Sequence, residues 1–157
     1  MKKITSIDLF AGVGGMRISL SKALRRIGYI DECKLYSEIN TYSQQTYNEN
    51  FPETRLIEDI KSVDKKDIDQ MIPDHDILLA GFPCQPFSRA GISIRKNLKR
   101  AYGFDDKDQG DLFFNILDIL NTKKPRAFVL ENVQNLKNQQ GGKLLNKILK
   151  ELRKNYY

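Results

Sequence analysis

Ile4-Thr-Ser-Ile-Asp-Leu-Phe10, then Ala11-Gly-Val-Gly-Gly15, then Met16-Arg-Ile-Ser-Leu-Ser-Lys-Ala-Leu-Arg-Arg-Ile27 is the stretch that decides the fold. The first piece reads as a β-strand. The second is a glycine cluster that lets the backbone turn sharply and come close to a ligand. In the third, Met16, Leu20, Leu24 and Ile27 recur at helical spacing, with Arg17, Lys22, Arg25 and Arg26 expected outside and Gly28 suited to the stop. Strand, glycine loop, helix is the opening of a βαβ unit. Glycines at this point also present the amides of a helix N-terminus to an anionic or polar ligand.

Outward from this opening, short apolar runs keep alternating with helical periods. Cys33 to Ser37 is expected to be a second strand, Thr41 to Asn50 a helix ending before Pro52, and Arg55 to Ile57 a third strand. Ile77-Leu-Leu-Ala80 and Ala127-Phe-Val-Leu130 are uninterrupted apolar runs, the pattern of strands buried on both faces. A helix is expected from Asp111 and a last one through Leu144, Leu145, Ile148, Leu149 and Leu152, whereas residues 89–109 show no period. A loop of that length inside a domain is usually functional. The fold class is therefore α/β, a mainly parallel sheet with helices on both faces, in one domain over residues 1–157. On this reading the glycine cluster, Glu38, Asp59, Cys84 and Glu131 each follow the carboxyl end of a strand. That edge of an open parallel sheet is where ligands bind.

Bulk composition sets limits without choosing a function. The 157 residues are 40% hydrophobic and 29% charged, with 26 Lys plus Arg against 20 Asp plus Glu and a net charge of +6. The excess favours an anionic partner, although a basic surface with no partner fits as well. Cys33 and Cys84 are the two cysteines and His75 the single histidine, none at metal-ligand spacing, so no metal is expected. Cys33 reads as a small strand side chain and His75, between Asp74 and Asp76, as a surface residue. The N-terminus lacks the apolar stretch of a secretory signal, and no apolar run reaches the length of a membrane span. A reducing cytoplasm, bacterial or phage-like, is the expected setting.

Glu38 follows Gly14 by 24 positions, near the offset of a ribose-binding carboxylate in dinucleotide-binding units. Taken alone, this pair also suits a nicotinamide dehydrogenase or a plain structural turn. The third glycine of the dinucleotide pattern is absent, because Arg17 holds its place. A donor without a pyrophosphate tolerates that change.

The segment Asp76-x-Leu78-x-x-Gly81-x-Pro83-Cys84-x-x-Phe87-Ser88 is the most specific in the chain. It resembles the active-site signature of the DNA (cytosine-5) methyltransferase family. Asp8-Leu-Phe-Ala-Gly-Val-Gly-Gly15, Ser37-Glu38, Asp59-Ile60 and Glu131-Asn-Val133 resemble four other blocks of that family, in its order, and Gly110-Asp-Leu-Phe-Phe114 resembles its segment leading into the helix after the loop. The resemblance covers essentially the whole chain and implies a Rossmann-like, S-adenosylmethionine-dependent methyltransferase fold.

The roles that follow are what the resemblance implies. Cys84 would be the nucleophile that adds to carbon 6 of cytosine, and Glu131 would hold the N3 and N4 edge of the base. Glu38 would bind the ribose and Asp59 the adenine of S-adenosylmethionine, with Gly12 and Gly14 forming the turn around it and Phe10, Ile39, Ile60, Pro83 and Leu112 packing on it. The product would be S-adenosylhomocysteine. Gln85, Ser88, Arg89, Arg95, Lys96, Lys99 and Arg100 would lie in a loop closing on double-stranded DNA with the target cytosine flipped out. The setting implied is restriction-modification or related DNA modification.

Chemistry asks for these residue types independently. Carbon 5 of cytosine is a poor nucleophile until a thiolate adds next to it, and cysteine supplies thiolate readily. Full family members continue with further strands, a Gln-x-Arg-x-Arg block and a target-recognition domain, none of which these residues contain. The expectation is a fold that stops after the fifth strand and its helix, and a chain inactive without a C-terminal half, whether that half is a second polypeptide or not. An RNA-directed relative and a non-catalytic DNA-binding or assembly subunit stay open beside this reading.

Overall fold

The computed structural model describes residues 1–82 and 111–156. Five strands, β1 (Lys2–Leu9), β2 (Tyr29–Ser37), β3 (Arg55–Ile57), β4 (Ile77–Gly81) and β5 (Ala127–Glu131), form one sheet in the order β3-β2-β1-β4-β5. All four pairings are parallel. The helices are α1 (Gly15–Arg26), α2 (Thr41–Asn50), the short α3 (Ile68–Met71), α4 (Asp111–Lys123) and α5 (Lys143–Tyr156). Two short 3-10 turns, Ile60–Ser62 and Lys65–Asp67, and a longer 3-10 segment, Gln134–Gly142, complete the described elements.

Alternation along β1 separates the two faces. Ile7 and Leu9 point to a core shared with Leu35, Ile57, Leu78 and Ala80 of neighbouring strands. Phe113, Ile116 and Leu120 of α4 and Leu144, Ile148 and Leu152 of α5 cover it, with Ile60, Val63, Ile68 and Ile72 filling the side below β3. Each such side chain removed from water contributes ~1.5–3 kcal/mol before chain entropy is charged against it. Ser6 and Asp8 point to the opposite face, under α1 and α2, where the layer is polar. Helices thus cover both faces, as the alternating pattern predicts.

Local chemistry sets the boundaries. The Asn40 side chain accepts from the Ser43 amide at 3.0 Å and caps α2, and Gly28 takes φ 83 where α1 ends. Asp76 pins the amino end of β4 to β1: the Thr5 amide and hydroxyl both donate to its Oδ2 at 2.9 Å. These two bonds hold the Asp76 carboxyl below the ordinary aspartate range. At the other end of the chain, the Tyr156 hydroxyl donates to the Leu120 carbonyl at 2.7 Å, and its ring meets Phe128 edge-on.

Several expectations change. Ala127–Glu131 is an edge strand with alternate residues exposed, Val129 by 49%, and is not buried on both faces. Ile27 is 67% exposed and does not extend the apolar stripe of α1. Strand β2 starts at Tyr29 rather than Cys33. His75 is buried, not a surface residue; its Nδ1 faces the Pro73 carbonyl at 2.8 Å and burial lowers its pKa. None of the described helices is long and apolar enough to cross a membrane.

Candidate functional site

Because every strand runs the same way, all five carboxyl ends open on one edge. After β1 the chain turns through Phe10–Gly14, with Phe10 at φ 55, Gly12 at 54 and Gly14 at 91. A left-handed backbone costs a phenylalanine roughly 1–2 kcal/mol, so the turn is held against a local preference. Gly14 also has no room for a side chain: a Cβ there would stand 2.8 Å from the Phe51 ring and 3.2 Å from that of Tyr47.

Glu38 follows β2 and is locked to this turn. Its Oε2 accepts from the Gly12 amide at 2.8 Å and its Oε1 from the Asn40 amide at 2.8 Å. Gln44 donates to the Glu38 carbonyl from α2 at 2.5 Å. The carboxylate is therefore held by two backbone amides, and each oxygen has the capacity to accept a further bond. Ile39, next in the chain, is 72% exposed, which leaves its side chain on the surface beside the turn. Asp59 follows β3, is exposed, and accepts from the Lys61 amide at 2.9 Å, capping a 3-10 turn. Ile60 and Leu112 are both buried in the main core, so packing accounts for them first.

Beyond β1 the edge continues with Gly81 and Glu131, paired in the β4–β5 register. Glu131 Oε2 and Met16 Sδ each lie 3.6 Å from the point a Gly81 Cβ would occupy. The gap left by that missing side chain puts a carboxylate over the strand end that leads to Cys84. Asn132 secures the approach: its Nδ2 donates to the Phe82 carbonyl at 3.1 Å, while its Oδ1 accepts from the Val133 amide at 2.9 Å. Cys84 itself lies outside the described residues, as do Pro83, Gln85, Ser88, Arg89, Arg95, Lys96, Lys99 and Arg100.

Under the turn sits a group of side chains that sequence reasoning missed. Asp8 is fully buried, and neither carboxylate oxygen has a hydrogen-bond partner of ordinary geometry among the described residues. Burial pushes its pKa up to about 7; Arg17 and the nearby Tyr47 hydroxyl pull it down, and Asp31 and Glu38 raise it further. Arg17 does not point outward with Lys22, Arg25 and Arg26. Its Nη1 donates to Thr54 Oγ1 at 2.7 Å and Tyr47 OH at 3.3 Å. The signal was there in part, since Arg17 takes the place of a glycine that normally lets helix and strand pack closely.

The edge joins a glycine turn, a backbone-held carboxylate, an exposed acid and a second carboxylate beside Gly81. A family model described as C-5 cytosine-specific DNA methylase matches residues 4–157. The chain belongs to that family.

Its relatives include the DNA-cytosine methyltransferase of Escherichia coli (strain K12), 42% identical over 162 residues. The type II methyltransferase M.NlaX of Neisseria lactamica is 46% identical over 151. These alignments cover 93% and 96% of this chain but 33% and 43% of the relatives. The chain thus spans well under half the length of the family members it matches. Among solved structures, the methyltransferase EhMeth of Entamoeba histolytica superposes with a TM-score of 0.69 at 23% identity, covering 99% of this chain and 45% of that one. This last similarity establishes the fold and no more.

Proposed function

We propose that this chain carries the donor-binding and catalytic part of an enzyme that transfers a methyl group from S-adenosylmethionine to carbon 5 of cytosine in DNA. The observation that carries the reading is the shared strand edge. The Gly12–Glu38 turn and Asp59 stand on one side of β1, Gly81 and Glu131 on the other, with Cys84 three residues past Gly81.

The residues fit the donor. Glu38 has lone pairs to accept from ribose hydroxyls, and Asp59 is exposed to meet the adenine amino group. Phe10 and Ile39 lie at the turns after β1 and β2, and these two, with Ile60, Leu112 and Pro83, are assigned to packing on the donor. When bound, S-adenosylmethionine supplies a methyl group on a positively charged sulfur. The chain supplies the activation. Cys84 as thiolate adds to carbon 6 of the flipped cytosine, forming a carbon–sulfur bond and moving the ring electrons toward carbon 5 and N3. Glu131 places a proton at N3 and so offsets the charge created. After carbon 5 has taken the methyl group and lost its own proton to a base, Cys84 leaves carbon 6 as thiolate, N3 returns its proton to Glu131 and the ring is restored.

Gln85, Ser88, Arg89, Arg95, Lys96, Lys99 and Arg100 are assigned to the DNA, the basic ones to its phosphates. Since the relatives are more than twice as long, methylation is proposed to need the part of them that these residues do not span, as one chain or as a second polypeptide. The proposed setting is the reducing cytoplasm of a cell that carries a modification system, where Cys84 stays a thiol.

Trapping on DNA that contains 5-fluorocytosine tests the reading, with methyl donor present and the complementing portion supplied. Fluorine cannot leave carbon 5 as a proton, so a covalent protein–DNA adduct is expected with the natural chain and none with Cys84→Ser. An adduct that survives this substitution would remove Cys84 from the mechanism.

A further inference from the structure

The polar layer beneath the glycine turn holds the most chemistry that the reaction does not use. Arg17 lies at its centre. Its guanidinium carbon is 3.8 Å from the centroid of the Phe51 ring and 5.6 Å from that of Tyr47. Tyr47 is stacked on Tyr36 of β2 at 3.9 Å, with planes 9° apart. The same two rings, Phe51 and Tyr47, are the atoms nearest to Gly14. Arg17 is therefore joined through one aromatic wall to the floor of the turn, from a helix whose N-cap is Gly14.

We propose that Arg17 is a positioning residue for the donor site: by clamping the Tyr47 and Phe51 rings against Gly14 it sets how far the glycine turn stands from Glu38. The inference rests on the donor-site reading above.

The geometry argues for a clamp and against plain helix support. A planar guanidinium stacks on a ring and donates along its edge at the same time, which an ammonium cannot do. Thr54, the second acceptor, follows α2 and is buried. Both ends of the segment that begins at Asn40 are thus tied to the turn: Glu38 holds Gly12 above, and Arg17 holds Tyr47, Phe51 and Thr54 below. Loss of the lower tie lets the turn drift from Glu38 while the sheet stays intact.

Hydrogen exchange of single amides in the 157-residue chain tests the clamp without donor. Arg17→Met keeps the aliphatic bulk, and Ile72→Val, in the core on the other face, serves as a control for global stability. Relative to that control at matched distance from Tm, Arg17→Met is expected to exchange the Gly12 and Gly14 amides at least about tenfold faster. Arg17→Lys, which keeps charge but not the planar stack, should fall between. Equal protection in Arg17→Met and the control overturns the inference.

A titration with S-adenosylmethionine into the labelled chain, followed by amide shifts, separates this from the donor reading. Shifts at Gly12 and Glu38 in the natural chain, with a Kd raised about tenfold by Arg17→Met, support both. Shifts that are the same in the two proteins overturn the clamp. No shifts in the natural chain at millimolar donor overturn the donor reading, and the exchange result alone then judges the hold of Arg17 on the turn.

Discussion

The Asn132 side-chain amide donates to the Phe82 carbonyl at 3.1 Å, tying the exit of β5 to the chain two residues before Cys84. One side chain thereby ties the strand that ends in Glu131 to Phe82, the residue after β4. Asn132→Ala removes this donor to Phe82. Loss of such a bond typically costs ~1 kcal/mol. A modest fall in Tm is expected, with a fall of tenfold or more in adduct formation by the complemented enzyme, because small displacements of a reacting group are expensive. Trapping rates that match the natural protein would show that the tie does not position the Cys84 segment.

Asp8 predicts an unusual pH dependence of stability. Its pKa is 3.8 when free and about 7 in the fold. Between those values the folded state keeps a proton that the unfolded chain has lost, so stability falls as pH rises and levels off above about 7. Each unit of the window is worth about 1.4 kcal/mol, so the effect amounts to at most about 4 kcal/mol. Asp8→Asn should flatten this part of the curve, gaining stability at pH 8 relative to pH 5. Urea unfolding at four pH values would decide it; an unchanged slope in the variant would rule out Asp8 as its source.

Gly14→Ala combines two penalties. The residue would have to hold φ 91, and its Cβ would press on the Phe51 ring at 2.8 Å. The first costs ~1–2 kcal/mol, and the second needs a ring packed under Arg17 to move. Denaturation midpoints should drop by an amount well above that for Gly12→Ala, where nothing lies within 4 Å of the added atom. Equal effects at the two positions would count against the packed floor.

Lys123 at the end of α4 is a further point of leverage. Its side chain is 5% exposed and donates to the Asp69 carbonyl and carboxylate at 2.9 Å and to Asp74 at 3.0 Å. Lys123→Met keeps most of the packed stem but leaves the Asp69 carbonyl without this donor. A loss of ~1–2 kcal/mol in unfolding free energy is expected, with the region before β4 opening first in hydrogen exchange. A neutral result would mean that solvent replaces the three bonds at no cost.

Much of this was legible in the sequence, and the failures have physical causes. The limits of α2 and β3 coincide with expectation because Asn40, Pro52 and the apolar Leu56-Ile57 pair are strong local signals. The convergence of Gly12, Glu38, Asp59 and Glu131 needs only the parallel order of strands to follow. Burial of β5 was overstated, since an apolar run does not distinguish an edge strand from a central one. His75 reads as a surface residue because Asp74 and Asp76 flank it, and Arg17 because an amphipathic helix normally turns its charges outward, whereas the partners of Arg17, Tyr47, Phe51 and Thr54, lie far along the chain. The turns around Ile60 and Lys65 are too short to show any period.

The strand order has a bearing on how the protein is made. From the ribosome β1, β2 and β3 appear in turn and add to one side of the growing sheet, and only then does the chain cross back to lay β4 on the other side of β1. Until residue 81 has emerged, the central strand is an open flank of a half-built sheet, and Ile7 and Leu9 stay bare until α4 and α5 follow. Translation speed between Ile57 and Gly81 therefore sets how long a nascent chain is exposed to wrong pairing. A pause placed there should lower the yield of folded protein more than the same pause placed after Glu131.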